Sequence, residues 1–149
     1  MNATKENIMN RKSIYISIVV CFIIGVIGFF HYQNNQYNDQ IKNNTTHLKE
    51  DIIKVLQQSQ DYLDRDTVTI SEIYYDGEIS GVYEQAILEE MPEYQDCIMI
   101  YASFEVGEIP KENGEYISPF FPYSSYEDFG LNFVKNQAGE WIYVDGGLC

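Results

Sequence analysis

The chain has 149 residues, and its nine Lys and Arg stand against 23 Asp and Glu, a formal net charge of −14. So acidic a surface is repelled by phosphate backbones and anionic headgroups, which argues against nucleic acid as a partner. Thirteen Tyr and eight Phe supply aromatic surface for a core and argue against disorder over most of the chain.

Residues 14–30, Ile-Tyr-Ile-Ser-Ile-Val-Val-Cys-Phe-Ile-Ile-Gly-Val-Ile-Gly-Phe-Phe, carry no charge, and Arg11 and Lys12 stand immediately before them. As a helix this run is roughly 25 Å long, the short end of what crosses a bilayer. The expectation is a single transmembrane helix over 14–32. A cleaved signal peptide is the rival reading. Its apolar core is shorter and is followed by small residues, whereas this run ends in Phe29-Phe30-His31-Tyr32. Lipidation at Cys21 fits poorly, because the residue lies mid-run with apolar neighbours on both sides.

Lys5, Arg11 and Lys12 precede the helix against Glu6 alone, so residues 1–13 are expected in the cytoplasm. Everything beyond then lies outside, where six bases face 22 acids. Residues 33–44, rich in Asn and Gln, read as a juxtamembrane linker. Residues 45–149 are long enough for one extracytoplasmic domain with its own core. Cys97 and Cys149 would share an oxidising compartment there, so a disulfide between them stands beside two separate thiols.

Thr45 or Thr46 is a candidate cap for an amphipathic helix. Leu48, Ile52, Val55, Ser59 and Tyr62 recur every three to four residues, and Ile53, Leu56 and Leu63 widen the stripe. Thr67–Tyr75 is β-branched and aromatic, a strand pattern, and Asp76-Gly77 reads as a tight turn. Residues 78–83 are read as a short returning strand and 83–91 as a short helix stopped by Pro92. A longer hairpin is the alternative. Cys97–Val106 has the nearly continuous apolar run of a central strand. Residues 107–126 read as a long loop. Phe129–Lys135 and Glu140–Val144 then pair as a hairpin across Asn-Gln-Ala-Gly, and Gly146-Gly147 releases the chain.

The sum is an α+β chain: a transmembrane helix, then one long amphipathic helix on a four- to five-stranded antiparallel sheet. The helix-first order and the ending Leu-Asn-Phe-Val-Lys…Ala-Gly-Glu-Trp-Ile-Tyr-Val-Asp-Gly-Gly resemble small cystatin-like or NTF2-like domains. Such domains occur in membrane-tethered surface proteins of Gram-positive bacteria. The resemblance implies a cone-shaped fold over residues 45–147 but no particular function.

Nucleophilic catalysis needs a base, and His31 and His47 stand in no catalytic motif. Two histidines without Cys at ligand spacing make no zinc site, and no cofactor is expected. Asp61, Asp64 and Asp66 cluster where the helix gives way to the first strand, and Asp76 and Glu78 flank the turn after it, oxygen ligands that keep a Ca²⁺-dependent structural role open as an alternative. A pocket of the resembled kind would draw on Asp96, Glu105, Tyr101 and Tyr143. The preferred surface is the proline-limited aromatic loop: Phe120, Phe121, Tyr123 and Tyr126 with Glu127 and Asp128. Aromatic anchors beside acids suit an envelope protein or a basic peptide. The expectation is therefore a non-catalytic binding or accessory protein.

Overall fold

A computed structural model describes residues 16–26, 28, 37–65 and 67–148. The chain divides into two compact units, Met1–Asn38 and Asp39–Cys149. In the first unit, residues 16–26 and 28 are helical, and the apolar side chains from Ile16 to Val26 are exposed. Among the described residues no helix is long and apolar enough to cross a membrane. Residues 14, 15, 27 and 29–32 of the expected span lie outside them.

The second unit is an α+β domain, as its sequence pattern implies. A 3-10 turn at Asn38–Gln40, which spans the boundary between the units, leads into β1 (Ile41–Lys42). Then follow α1 (Lys49–Leu63), β2 (Val68–Asp76), α2 (Gly77–Glu90), β3 (Asp96–Val106), β4 (Lys111–Glu112), β5 (Glu115–Tyr116), β6 (Ser125–Lys135) and β7 (Trp141–Leu148). Five strands form one sheet in the order β1-β2-β3-β6-β7, and β4-β5 is a separate two-stranded hairpin. The sheet is mixed, not purely antiparallel as expected. The short β1 runs parallel to β2, with Ile41 opposite Tyr75 and Lys42 opposite Asp76. Two residues are too few to show a pattern in sequence.

Strand alternation divides β3 between two faces. Ile98, Ile100 and Ala102 lie opposite Phe133, Leu131 and Phe129, and Cys97 and Met99 opposite Val134 and Asn132. All of β3 from Cys97 to Ala102 is buried, which is why it reads as continuously apolar.

Helix α1 covers the Ile98 face. Its apolar stripe buries Ile52, Ile53, Val55, Leu56 and Leu63, and the buried Ser59 hydroxyl donates to the Val55 carbonyl at 2.8 Å. Asp51 accepts from Lys135 Nζ (2.9 Å) and from the Trp141 indole (3.1 Å), and Tyr62 stacks on Tyr143 at 4.3 Å. Partial burial works to raise the Asp51 pKa, but these hydrogen bonds outweigh it and hold the carboxyl below its ordinary value. The helix begins at Leu48 with no side-chain cap, so neither Thr45 nor Thr46 takes that role.

Helix α2 is the main departure from expectation. Where a turn, a strand and a short helix are read from sequence, one helix runs unbroken from Gly77 to Glu90. Asp76 is its N-cap, accepting from the Glu78 N–H at 3.0 Å. Gly77 serves packing rather than a turn: a Cβ there would lie 2.5 Å from the Asn43 carbonyl oxygen. Asp-Gly is thus a cap and a close approach. Gly146 and Gly147 likewise pair within β7, opposite Leu131 and Gly130, instead of releasing the chain.

Candidate functional site

Two regions of the domain concentrate chemistry. The first lies where β2 leaves the sheet. Its pairing with β3 ends at Tyr74 opposite Tyr101, so β3 extends beyond it toward Asp96. The Met99 N–H on that vacated edge is taken by Glu84 Oε1 of α2 at 3.0 Å. The other oxygen of Glu84 contacts His47 Nε2 at 2.9 Å, and His47 Nδ1 lies 3.4 Å from Asp96. The His47 ring packs edge-on against Tyr75 at 5.8 Å.

The loop carrying His47 is pinned from both ends. Asn44 Oδ1 accepts from the His47 N–H, and Asn44 Nδ2 donates to the His47 carbonyl. Asn43 Nδ2 donates to both carboxylate oxygens of Asp76, at 3.1 and 3.3 Å. The His47 side chain is only 8% exposed. Burial works to lower its pKa, but the contacts with Asp96 and Glu84 more than reverse this and raise it to about 9. At neutral pH it is an imidazolium with a carboxylate at each nitrogen.

With both nitrogens facing carboxylates, the ring offers no free lone pair to a substrate. It also lines none of the three cavities found among the described residues of this domain. The cluster is a polar clamp joining the 43–48 loop, α2 and the start of β3. Sequence reading gives His47 no role, because its partners lie 37 and 49 residues away and no motif links them.

The other residues considered for acid–base work are not brought together. Asp96 joins His47, while Tyr101 lies on the opposite face of β3 and stacks on Tyr74 at 5.5 Å. Glu105 is exposed, and burial together with Tyr62 holds the Tyr143 hydroxyl above its ordinary range. Cys97 is a free, fully buried thiol, pushed up to about 12 by desolvation, and Cys149 lies outside the described residues. No three His, Cys, Asp or Glu among the described residues gather to hold a metal, and Asp66 lies outside them.

The second region is the loop between β3 and β6. The sequence-predicted aromatics separate into two groups. Phe120 is 4% exposed and packs against Phe104, Tyr126 and Phe129 at 4.9–5.9 Å, so it belongs to the core and not to the surface. Tyr126 is half-buried, stacks on Phe104 and accepts from the Phe121 N–H at 3.1 Å. Phe121 and Tyr123 are 72% and 76% exposed. Glu127 is exposed. Asp128 is also exposed, in a left-handed conformation where β6 bulges, and it accepts from the Tyr74 hydroxyl at 2.9 Å.

Tyr123 has φ 57°, a conformation costly for a bulky residue, and its N–H donates to the Gly107 carbonyl at 3.1 Å. Beside it stands the β4-β5 hairpin, turned by Asn113 (φ 53°) and Gly114 (φ 90°). Tyr116 and Ile117 of that arm are exposed as well. Tyr116, Tyr123, Ile109, Pro110 and Glu108 line a shallow cleft of about 260 Å³. The Asn-Gly pair is the sequence signal that marks this hairpin.

No protein-family model, no curated protein and no solved structure matches the chain. The site therefore rests on its own geometry.

Proposed function

We propose that this chain is a single-pass, membrane-anchored binding protein, with its N-terminus in the cytoplasm and its α+β domain outside. It engages an envelope protein or a basic peptide through the arm from Tyr116 to Tyr123, and it has no catalytic role. The observation that carries this reading is the exposure of Phe121 and Tyr123 on a segment held in a strained backbone conformation. Large rings fixed in solvent are anchors awaiting a pocket. Glu108, Glu112 and Glu115 precede that arm along the chain against Lys111 alone, which favours a basic partner.

The anchor is supported by a helix apolar on all sides over 16–26, preceded by Arg11 and Lys12. The resemblance to cystatin-like or NTF2-like domains belongs to the same reading. Helix α1 on a sheet that ends in the β6-β7 hairpin supports it.

The test is crosslinking on intact cells with a membrane-impermeant reagent, followed by identification of what is captured. One discrete envelope protein, captured by the parent and lost in the Phe121→Ala, Tyr123→Ala double variant, is the expected result. A labelled chain that captures nothing contradicts the partner, and an unlabelled chain contradicts the topology.

A further inference from the structure

Helix α2 leaves an apolar stripe uncovered. Ile79, Val82, Tyr83 and Ala86, at i, i+3, i+4 and i+7, are all exposed, Val82 at 74%. That spacing is the side of a helix that ordinarily faces a core, and a contiguous exposed apolar patch marks a place of contact. Toward its C-terminal end the stripe runs into an open cavity of about 310 Å³ between α2 and strands β3, β6 and β7. Tyr83, Ala86, Ile87 and Met99 give the cavity an apolar wall, and Glu90 and Asp145 give it charge. No lining residue is basic.

The charge along this helix is one-sided. Gly77–Glu90 contains four Glu and neither Lys nor Arg, and Glu84 alone of the four is buried. Glu89 and Glu90 crowd the C-terminal turn, where the helix dipole favours a cation. The end of the groove lacks positive charge on both counts.

We propose that the stripe and the cavity form a docking groove for a basic amphipathic segment of a partner protein. Its apolar side chains lie on Ile79, Val82 and Tyr83, and a Lys or Arg head reaches the rim made by Glu90 and Asp145. A long basic side chain suits an apolar wall with carboxylates at its mouth, because its stem is apolar and its head is not. A second copy of this chain is the poorer occupant, since a two-fold contact would set the acidic rim against itself. The groove is distinct from the Tyr116–Tyr123 arm and stands whether or not that arm binds anything.

The experiment uses the full chain in nanodiscs of zwitterionic lipid, with empty nanodiscs as the blank. The probe is a labelled synthetic helical peptide with Leu at i, i+3, i+4 and i+7 and Lys on its flanks, followed by fluorescence anisotropy. Saturable one-to-one binding is expected. It should weaken about tenfold or more with Val82→Asp, and similarly with Glu90→Gln and Asp145→Asn together. Thermal melts should show each variant folded. A scrambled peptide that binds equally well, or folded variants that bind like the parent, would overturn the proposal. Self-association that Val82→Asp abolishes would overturn it in favour of a second copy.

Discussion

Two helices of nearly equal length flank the sheet, and they are attached in opposite ways. Helix α1 buries five aliphatic side chains and one serine. Helix α2 buries only Ser80 and Glu84, both polar, while Val82 and Tyr83 face water. Burial of apolar area is non-directional and tolerant of small shifts. A carboxylate that must serve a strand N–H and an imidazolium together is neither. The first helix is core. The second is a display element fixed by a clamp.

The sharpest way to break this contrast is to remove the clamp. Glu84→Ala leaves the Met99 N–H unsatisfied and His47 with Asp96 as its remaining counterion, at a cost of roughly 3–5 kcal/mol in chemical denaturation. A loss below about 1 kcal/mol would mean that α2 does not depend on the clamp. The parallel change on the other helix, Leu56→Ala, opens a cavity in a fully buried site and should cost about 2–5 kcal/mol. The two losses are alike in size but differ in kind, because only the first depends on pH.

That dependence has a definite sign. The pKa of His47 is raised by folding from its ordinary 6.5 to about 9. Its contribution is therefore complete below pH 6.5 and is lost as pH rises through 9, by up to roughly 3 kcal/mol. Chemical denaturation of the parent and of His47→Gln between pH 6 and pH 9 isolates it, before most tyrosines ionise. The difference between the two should shrink across that window, and a constant difference would show that the ring carries no charge in the fold. The smallest effect is expected on the outer face of α2. Val82→Asp should change stability by less than about 0.5 kcal/mol, since the side chain is already in water.

The same contrast explains what could be read from sequence. The apolar period from Ile52 to Leu63 marks α1, and the run from Cys97 marks the central strand, because area and alternation leave local patterns. The Asp76-Gly77 pair misleads for a physical reason. Its Asp caps a helix and its Gly makes room for the Asn43 carbonyl, a contact that reaches back to the loop before α1. The clamp of His47, Glu84 and Asp96 is set by the tertiary fold and has no local spacing. At the aromatic loop the sequence supplies the rings but not their division, because burial of Phe120 against Phe104 is decided by where β6 begins to pair. The parallel β1 is too short to leave any trace.

Native-state hydrogen exchange, resolved by helix, tests the division between core and display most directly. Opening free energies should be lower for the α2 amides than for those of α1, and Glu84→Gln should lower the α2 value while keeping that order. Exchange of both helices only through one common, global opening would contradict the account.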